Sequence, residues 1–200
     1  MNHSEKARLR DTCDAVVVRG GNPHHEMERM TEKLGLRGTY WFKCFDRHGN
    51  LKWEDVVENL VTTVGKNLAL DTILAGSAYT VTGPFMGLTQ GSPTPAAGDT
   101  MASHAGWVEA GNANAPTYTS PRKTCAWSAA SGGSKALSAA LSFAITGAGT
   151  VGGCFLVYGS GAVSTIDNTS GTLFSIGAFT GGNKTVANLD TVNVSYSCAA

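Results

Sequence analysis

The chain has 200 residues, with 15 Lys and Arg against 15 Asp and Glu, so it carries no net charge. That length suffices for one well-buried core, and a neutral chain without a basic patch speaks against nucleic acid as a partner. No run of about 18 apolar residues is present to span a membrane, and the charged start "MNHSEKARLRDTCD" offers no apolar stretch of the kind a secretory signal needs.

Charge is unevenly placed. Residues 1–58 hold ten Lys/Arg and ten Asp/Glu, whereas the other 142 residues, rich in Gly, Ala, Ser and Thr, carry only ten charges. A surface of that kind is neither strongly solvated nor steered toward a charged ligand, and it suits an exterior partly covered by other subunits. The five cysteines, at 13, 44, 125, 154 and 198, are scattered and form no CxxC pair. They are expected as reduced thiols rather than as a disulfide framework or a zinc site.

In chain order, residues 1–37 read as an N-terminal arm. Within it "DAVVV" suits a short strand. Asn22 is placed as an N-cap, Pro23 as a first helical residue and Gly35 as a stop, which predicts a charged helix over 23–34. The apolar stripe of that helix, Met27, Met30 and Leu34, is thin. His24 and Glu28 stand four apart on it but lack a third ligand, so a solvated helix face is the better reading than a metal site.

Next, "TYWFKCFDRHGNLKWEDVVENL" predicts a β-hairpin with strands over 39–45 and 50–57 around a Gly49-Asn50 turn. From Leu60 the apolar spacing becomes helical, which predicts a helix of about 15 residues ending at Gly76. Beyond it the pattern is strands only, at 79–89, about 106–110, 122–129, 135–146, 151–158, 172–180 and 190–198, separated by Gly- and Pro-rich turns. In the last, Val192, Val194 and Tyr196 face one way and Asn193, Ser195 and Ser197 the other. The fold class is therefore mainly β, an antiparallel, jelly-roll-like β-sandwich with a short helix. Residues 38–76 supply the hairpin and helix, 77–200 the sandwich, and 38–200 form one domain. The tryptophans at 41, 53, 107 and 127 are read mostly as core.

Two stretches raise questions of chemistry. Gly147, Gly149 and Gly152 in "FAITGAGTVGGCFLVY" match the spacing of a dinucleotide-binding loop. That loop must lead into a helix whose amides face the pyrophosphate. Here the glycines lie between an alternating strand and a short apolar run stopped by Gly159, and the ribose-binding acid would fall near Asp167 in a turn-like "DNTSG". A connection between two strands is the better reading. In "DTMASHAGWVEA", Asp99, His104 and Glu109 sit close in sequence. Ser103 and His104 would point to opposite faces of an extended segment, and no G-x-S-x-G elbow occurs. Asp99 is expected to cap a turn, His104 to bond locally, and Trp107 to plug the sandwich. No catalytic, cofactor-binding or metal-binding residue is assigned. The N-x-S/T matches at Asn2, Asn168, Asn183 and Asn193 are read as chance.

From about Gly38 to Ser197 the chain resembles small structural proteins of tailed bacteriophages. The resemblance is carried by "NLVTTVGKNLALDTILAG", "DTMASHAGWVEA" and the closing "LDTVNVSYS". It implies a virion component, a capsid cement or head decoration protein bound to the outer head surface and made in the cytoplasm of the bacterial host. The partners so implied are the major capsid protein and further copies of the chain, as a dimer or trimer. A tail-fibre or receptor-binding module is the alternative; an enzyme fits less well. The turn before the last strand would ordinarily carry a glycine in such proteins, whereas here Leu189 precedes Asp190. Residues 1–37 lie outside the resemblance.

Overall fold

The hairpin forms where its turn chemistry places it. Strands β1 (Arg37–Phe45) and β2 (Leu51–Val61) pair antiparallel, with Trp41 opposite Val56. Asp46 nucleates the turn, accepting from the His48 and Asn50 amides at 2.8 and 2.9 Å, and Gly49 takes the left-handed conformation at φ 83°. The computed structural model describes residues 35–74 and 82–199, which fall in one compact unit. The expected strand in "DAVVV", the helix over 23–34, residues His24 and Glu28, and the start of the strand expected from residue 79 lie outside the described residues.

Helix α1 (Thr63–Leu74) begins three residues later than the apolar spacing suggests. The reason is that β2 runs on to Val61, pairing Asn59–Val61 with Ser175–Gly177. Thr62 then caps the helix, its Oγ1 accepting from the Gly65 amide at 3.0 Å.

The remaining strands are β3 (Phe85–Gln90), β4 (Val108–Glu109), β5 (Lys123–Thr124), β6 (Ser134–Ala136), β7 (Leu141–Ala144), β8 (Gly149–Tyr158), β9 (Thr172–Ala178), β10 (Lys184–Val186) and β11 (Thr191–Ala199). The strand expected over 122–129 contracts to β5, and that over 135–146 splits into β6 and β7. β10, unforeseen, resumes the pairing along β8 after the interruption Phe179–Asn183. The main path through the antiparallel sheet runs β4-β3-β8-β9-β2-β1-β11-β6. The long strand β2 joins its halves, pairing with β1 along most of its length and with β9 at its end.

The halves close on each other as a sandwich-like fold around one large core. Tyr40 and Phe42 of β1, Leu88 of β3, Leu156 of β8, Phe143 of β7, and Val192, Val194 and Tyr196 of β11 meet there. The alternation expected in the last strand is present. Tyr40 Oη and Ser175 Oγ share a buried hydrogen bond of 2.8 Å from β1 to β9. A second, smaller cluster lies on the other face of β8: Phe155 and Val157 pack with Met101, Trp107, Ala162, Leu173 and Ile176. Successive residues of a strand point to opposite faces, so Phe155 and Leu156 belong to different clusters. β8 is therefore buried on both faces.

Among the tryptophans only Trp107 is fully buried. Trp53 and Trp127 are half-buried and pack against the main core, and Trp41 is the exception to the core reading at 40% exposed. Cys44, Cys125 and Cys154 are buried free thiols and Cys198 is half-buried and free. Burial pushes the Cys44 thiol up to about 11 and the Cys125 thiol up to about 12. Among the described residues, no helix is long and apolar enough to cross a membrane.

Candidate functional site

The glycines of the G-x-G-x-x-G stretch lead into strand β8, not into a helix. Gly149 and Gly152 are needed for close approach: a Cβ at Gly149 would press on the Ala115–Pro116 backbone, and one at Gly152 would overlap the Gly91 carbonyl oxygen. Asp167 sits in a tight turn at φ 64° and accepts from the Ala113 amide. Among the described residues no helix follows these glycines, so the strand-to-helix turn of a dinucleotide loop is not formed there.

The segment around His104 is a folded turn that shelters Trp107. Asp99 Oδ2 accepts from the Ala96 amide at 2.9 Å and from Trp107 Nε1 at 3.1 Å. The His104 ring stacks on Trp107 with centroids 3.8 Å apart, and its Nδ1 lies 3.0 Å from the Trp107 carbonyl oxygen. Trp107 in turn packs on Phe155, so it plugs the outer cluster and not the sandwich interior. Glu109 points elsewhere.

Glu109 meets Arg122, and this pair is the densest polar construction among the described residues. Arg122 is 1% exposed; its Nε and Nη2 donate to the two Glu109 carboxylate oxygens at 2.8 and 2.6 Å. Nη1 and Nη2 also donate to the carbonyls of Val163 and Asn168 at 3.1 and 2.7 Å. Glu109 Oε2 accepts from the Asp167 amide at 2.9 Å, and the guanidinium lies 5.4 Å from the centre of the Phe155 ring. Burial pushes the Glu109 carboxyl up, with the Arg122 hydrogen bonds pulling against it. Four of the five guanidinium N–H donors and both Glu109 carboxylate oxygens are engaged by protein groups, so the pair ties the 159–171 loop to β4.

A second buried carboxylate behaves alike. Asp190 Oδ2 accepts from the Ala187 amide at 2.7 Å and from Lys52 Nζ, and that bond raises the Lys52 pKa. Among the described residues, no three His, Cys, Asp or Glu side chains converge as a metal site would require.

Comparison with protein-family models, with curated proteins and with solved structures gives no match for this chain. What distinguishes the surface must be read from its own chemistry. Of the ten charges in residues 59–200, Asp99, Glu109, Arg122 and Asp190 are buried, so the exterior of this part carries even less charge than the sequence suggests. Trp41 and Val56, cross-strand neighbours, are 40% and 54% exposed on the outer face of β1 and β2, beside Thr39, Ser195 and the Lys43–Glu54 pair.

The other notable feature is an apolar groove of about 720 Å³ beside α1, walled by Ile73, Trp127, Tyr158, Phe174 and Tyr196, with Leu156 on its floor. Neither it nor Arg122 was anticipated from the sequence. The signal for Arg122 was available: it is the one arginine in the charge-poor residues 59–200, and so a candidate partner for one of their few carboxylates.

Proposed function

We propose that the chain is a structural protein of the tailed-bacteriophage virion, a capsid cement protein that binds the outer surface of the head and bridges neighbouring copies of the major capsid protein. The observations that carry this reading are the sparsely charged exterior of residues 59–200 and the exposure of Trp41 and Val56 side by side on β1 and β2. Such a face gives a modest apolar contact bordered by Thr39 and Ser195 and by the charged Lys43, Glu54 and Glu58, in keeping with the apolar core and polar rim of protein interfaces. The resemblance quoted above points the same way. Each copy needs to bury only a standard interface, roughly 800 Å² a side, because many copies around a closed shell act together.

The test is to add purified protein to heads stripped of it and to count copies per shell. Mature shells should bind strongly and in fixed ratio to the capsid protein, and loose capsid subunits weakly. Val56→Glu, at an exposed position, should abolish binding while leaving the melting temperature unchanged. A handful of copies at a single vertex would favour a tail-fibre or receptor-binding module. Equal affinity for loose subunits would refute the cement reading.

A further inference from the structure

The apolar groove beside α1 plays no part in the reading above. It lies where the helix, the end of β6 and the core strands meet, and its volume of about 720 Å³ falls within the range of small-molecule sites, about 300–1,000 Å³. Its wall is aliphatic and aromatic. Among the described residues that line it, Lys135 is the one charged side chain and none is a carboxylate. Lys135 is exposed, and its ammonium donates to the Ser128 carbonyl oxygen at 3.0 Å. An ammonium has three N–H donors, so two remain for a ligand at the mouth. Exposure keeps that charge hydrated, so an anion could meet it there without the desolvation cost of a buried pair.

We propose that this groove binds a free, monomeric amphiphile: an alkyl tail inside, and an anionic carboxylate or sulfate head beside Lys135. Two features determine that chemistry. The apolar wall selects a tail and gives no hydrogen-bonding reason to prefer a sugar or nucleobase. The positive charge of Lys135, with no acidic group among the described lining residues, selects an anionic head over a cationic one. The proposal is independent of any attachment to a capsid.

Titration calorimetry on the full chain with octanoate, decanoate and dodecanoate, each below its micelle concentration, tests it. One saturable site is expected, tightening by about threefold for each added methylene as more tail is buried. Lys135→Ala should weaken dodecanoate about two- to fivefold, the range for an exposed ion pair, and leave dodecanol unchanged. Ala130→Trp, at an exposed lining position that should tolerate bulk, should block both ligands without altering the melting temperature. The proposal falls if no saturable binding appears, if affinity ignores tail length, or if Ala130→Trp leaves binding intact. Binding only to vesicles containing dodecanoate would overturn it in favour of a membrane surface. Self-association abolished by Ala130→Trp, without fatty-acid binding, would overturn it in favour of a second copy.

Discussion

Replacing Arg122 with Met should be among the most damaging single changes to this protein that leave it folded. The side chain is 1% exposed and makes four hydrogen bonds, two to Glu109 and two to loop carbonyls. Methionine fills much of the same volume, so the packing loss is small. The main cost is a carboxylate left buried with only the Asp167 amide as donor, together with the Val163 and Asn168 carbonyls deprived of theirs. Breaking a buried pair in this way costs about 3–5 kcal/mol, against a total stability of about 5–15 kcal/mol for a domain. Adding Glu109→Gln removes the stranded charge, so the double variant should be more stable than Arg122→Met alone by about 1–2 kcal/mol.

The pH dependence follows the same logic. Burial pushes the Glu109 carboxyl up, and without Arg122 it rises further. A carboxyl raised in the native state favours folding when protonated. That contribution is complete below its unfolded value, 4.5, and is lost as pH rises through the native one. The gap between variant and wild type should therefore narrow between pH 7 and pH 5. Urea unfolding monitored by tryptophan fluorescence measures all of this. A loss under about 1 kcal/mol for the single variant, or simple additivity in the double, would refute the assignment of the pair as a structural lock.

Further changes probe other parts of the fold. Leu189 sits at φ 71° with its side chain 61% exposed, so Leu189→Gly should raise stability by about 0.5–1 kcal/mol in a thermal melt, with relief of left-handed strain exceeding the added chain entropy. Gly152→Ala should cost at least about 3 kcal/mol or prevent folding, since its methyl would overlap the Gly91 carbonyl oxygen; circular dichroism decides it. His104→Ala should cost on the order of 1 kcal/mol through the lost stack on Trp107, as urea denaturation would show. Cys44, Cys125 and Cys154 should resist a thiol reagent at pH 8 until the protein unfolds, because burial both shields them and raises their pKa values, and Cys198 should react first among the four.

The elements that could be read from the sequence are those whose signal is local. The first hairpin carries its own turn, with Asp46 bonding back to residues 48 and 50. The last strand alternates because β11 has one face in the core and one outside. The stretch 135–146 alternates equally well and still does not form one strand. Alternation records which side of an extended chain is buried, not whether a neighbouring strand lies within hydrogen-bonding distance along its whole length. Here β6 and β7 both pair with β11, and between them the chain turns aside, the Ser138 amide bonding to the Ala126 carbonyl instead. The helix start was misplaced for a related reason. The pairing of Asn59–Val61 with β9 overrode a helical spacing that begins at Leu60.

Glu109 shows why the polar centre was less legible than the fold. In the sequence it stands with Asp99 and His104, and proximity groups the three. In the structure, Asp99 and His104 both serve Trp107, while Glu109 belongs to an arginine 13 positions on, which also donates to loop carbonyls, and to the Asp167 amide of the same loop. A charge buried on one strand must be met by an opposite charge or by donors from whatever element covers that strand. The covering element is fixed by topology, and the topology was the part that period and turn chemistry left open. The same dependence hides the groove, because its walls come from α1, β8, β9, β11 and the chain around Trp127 and are apolar one residue at a time. Each of those residues reads as ordinary core in sequence; only the gap between them, visible once the sheet order is known, makes them a site.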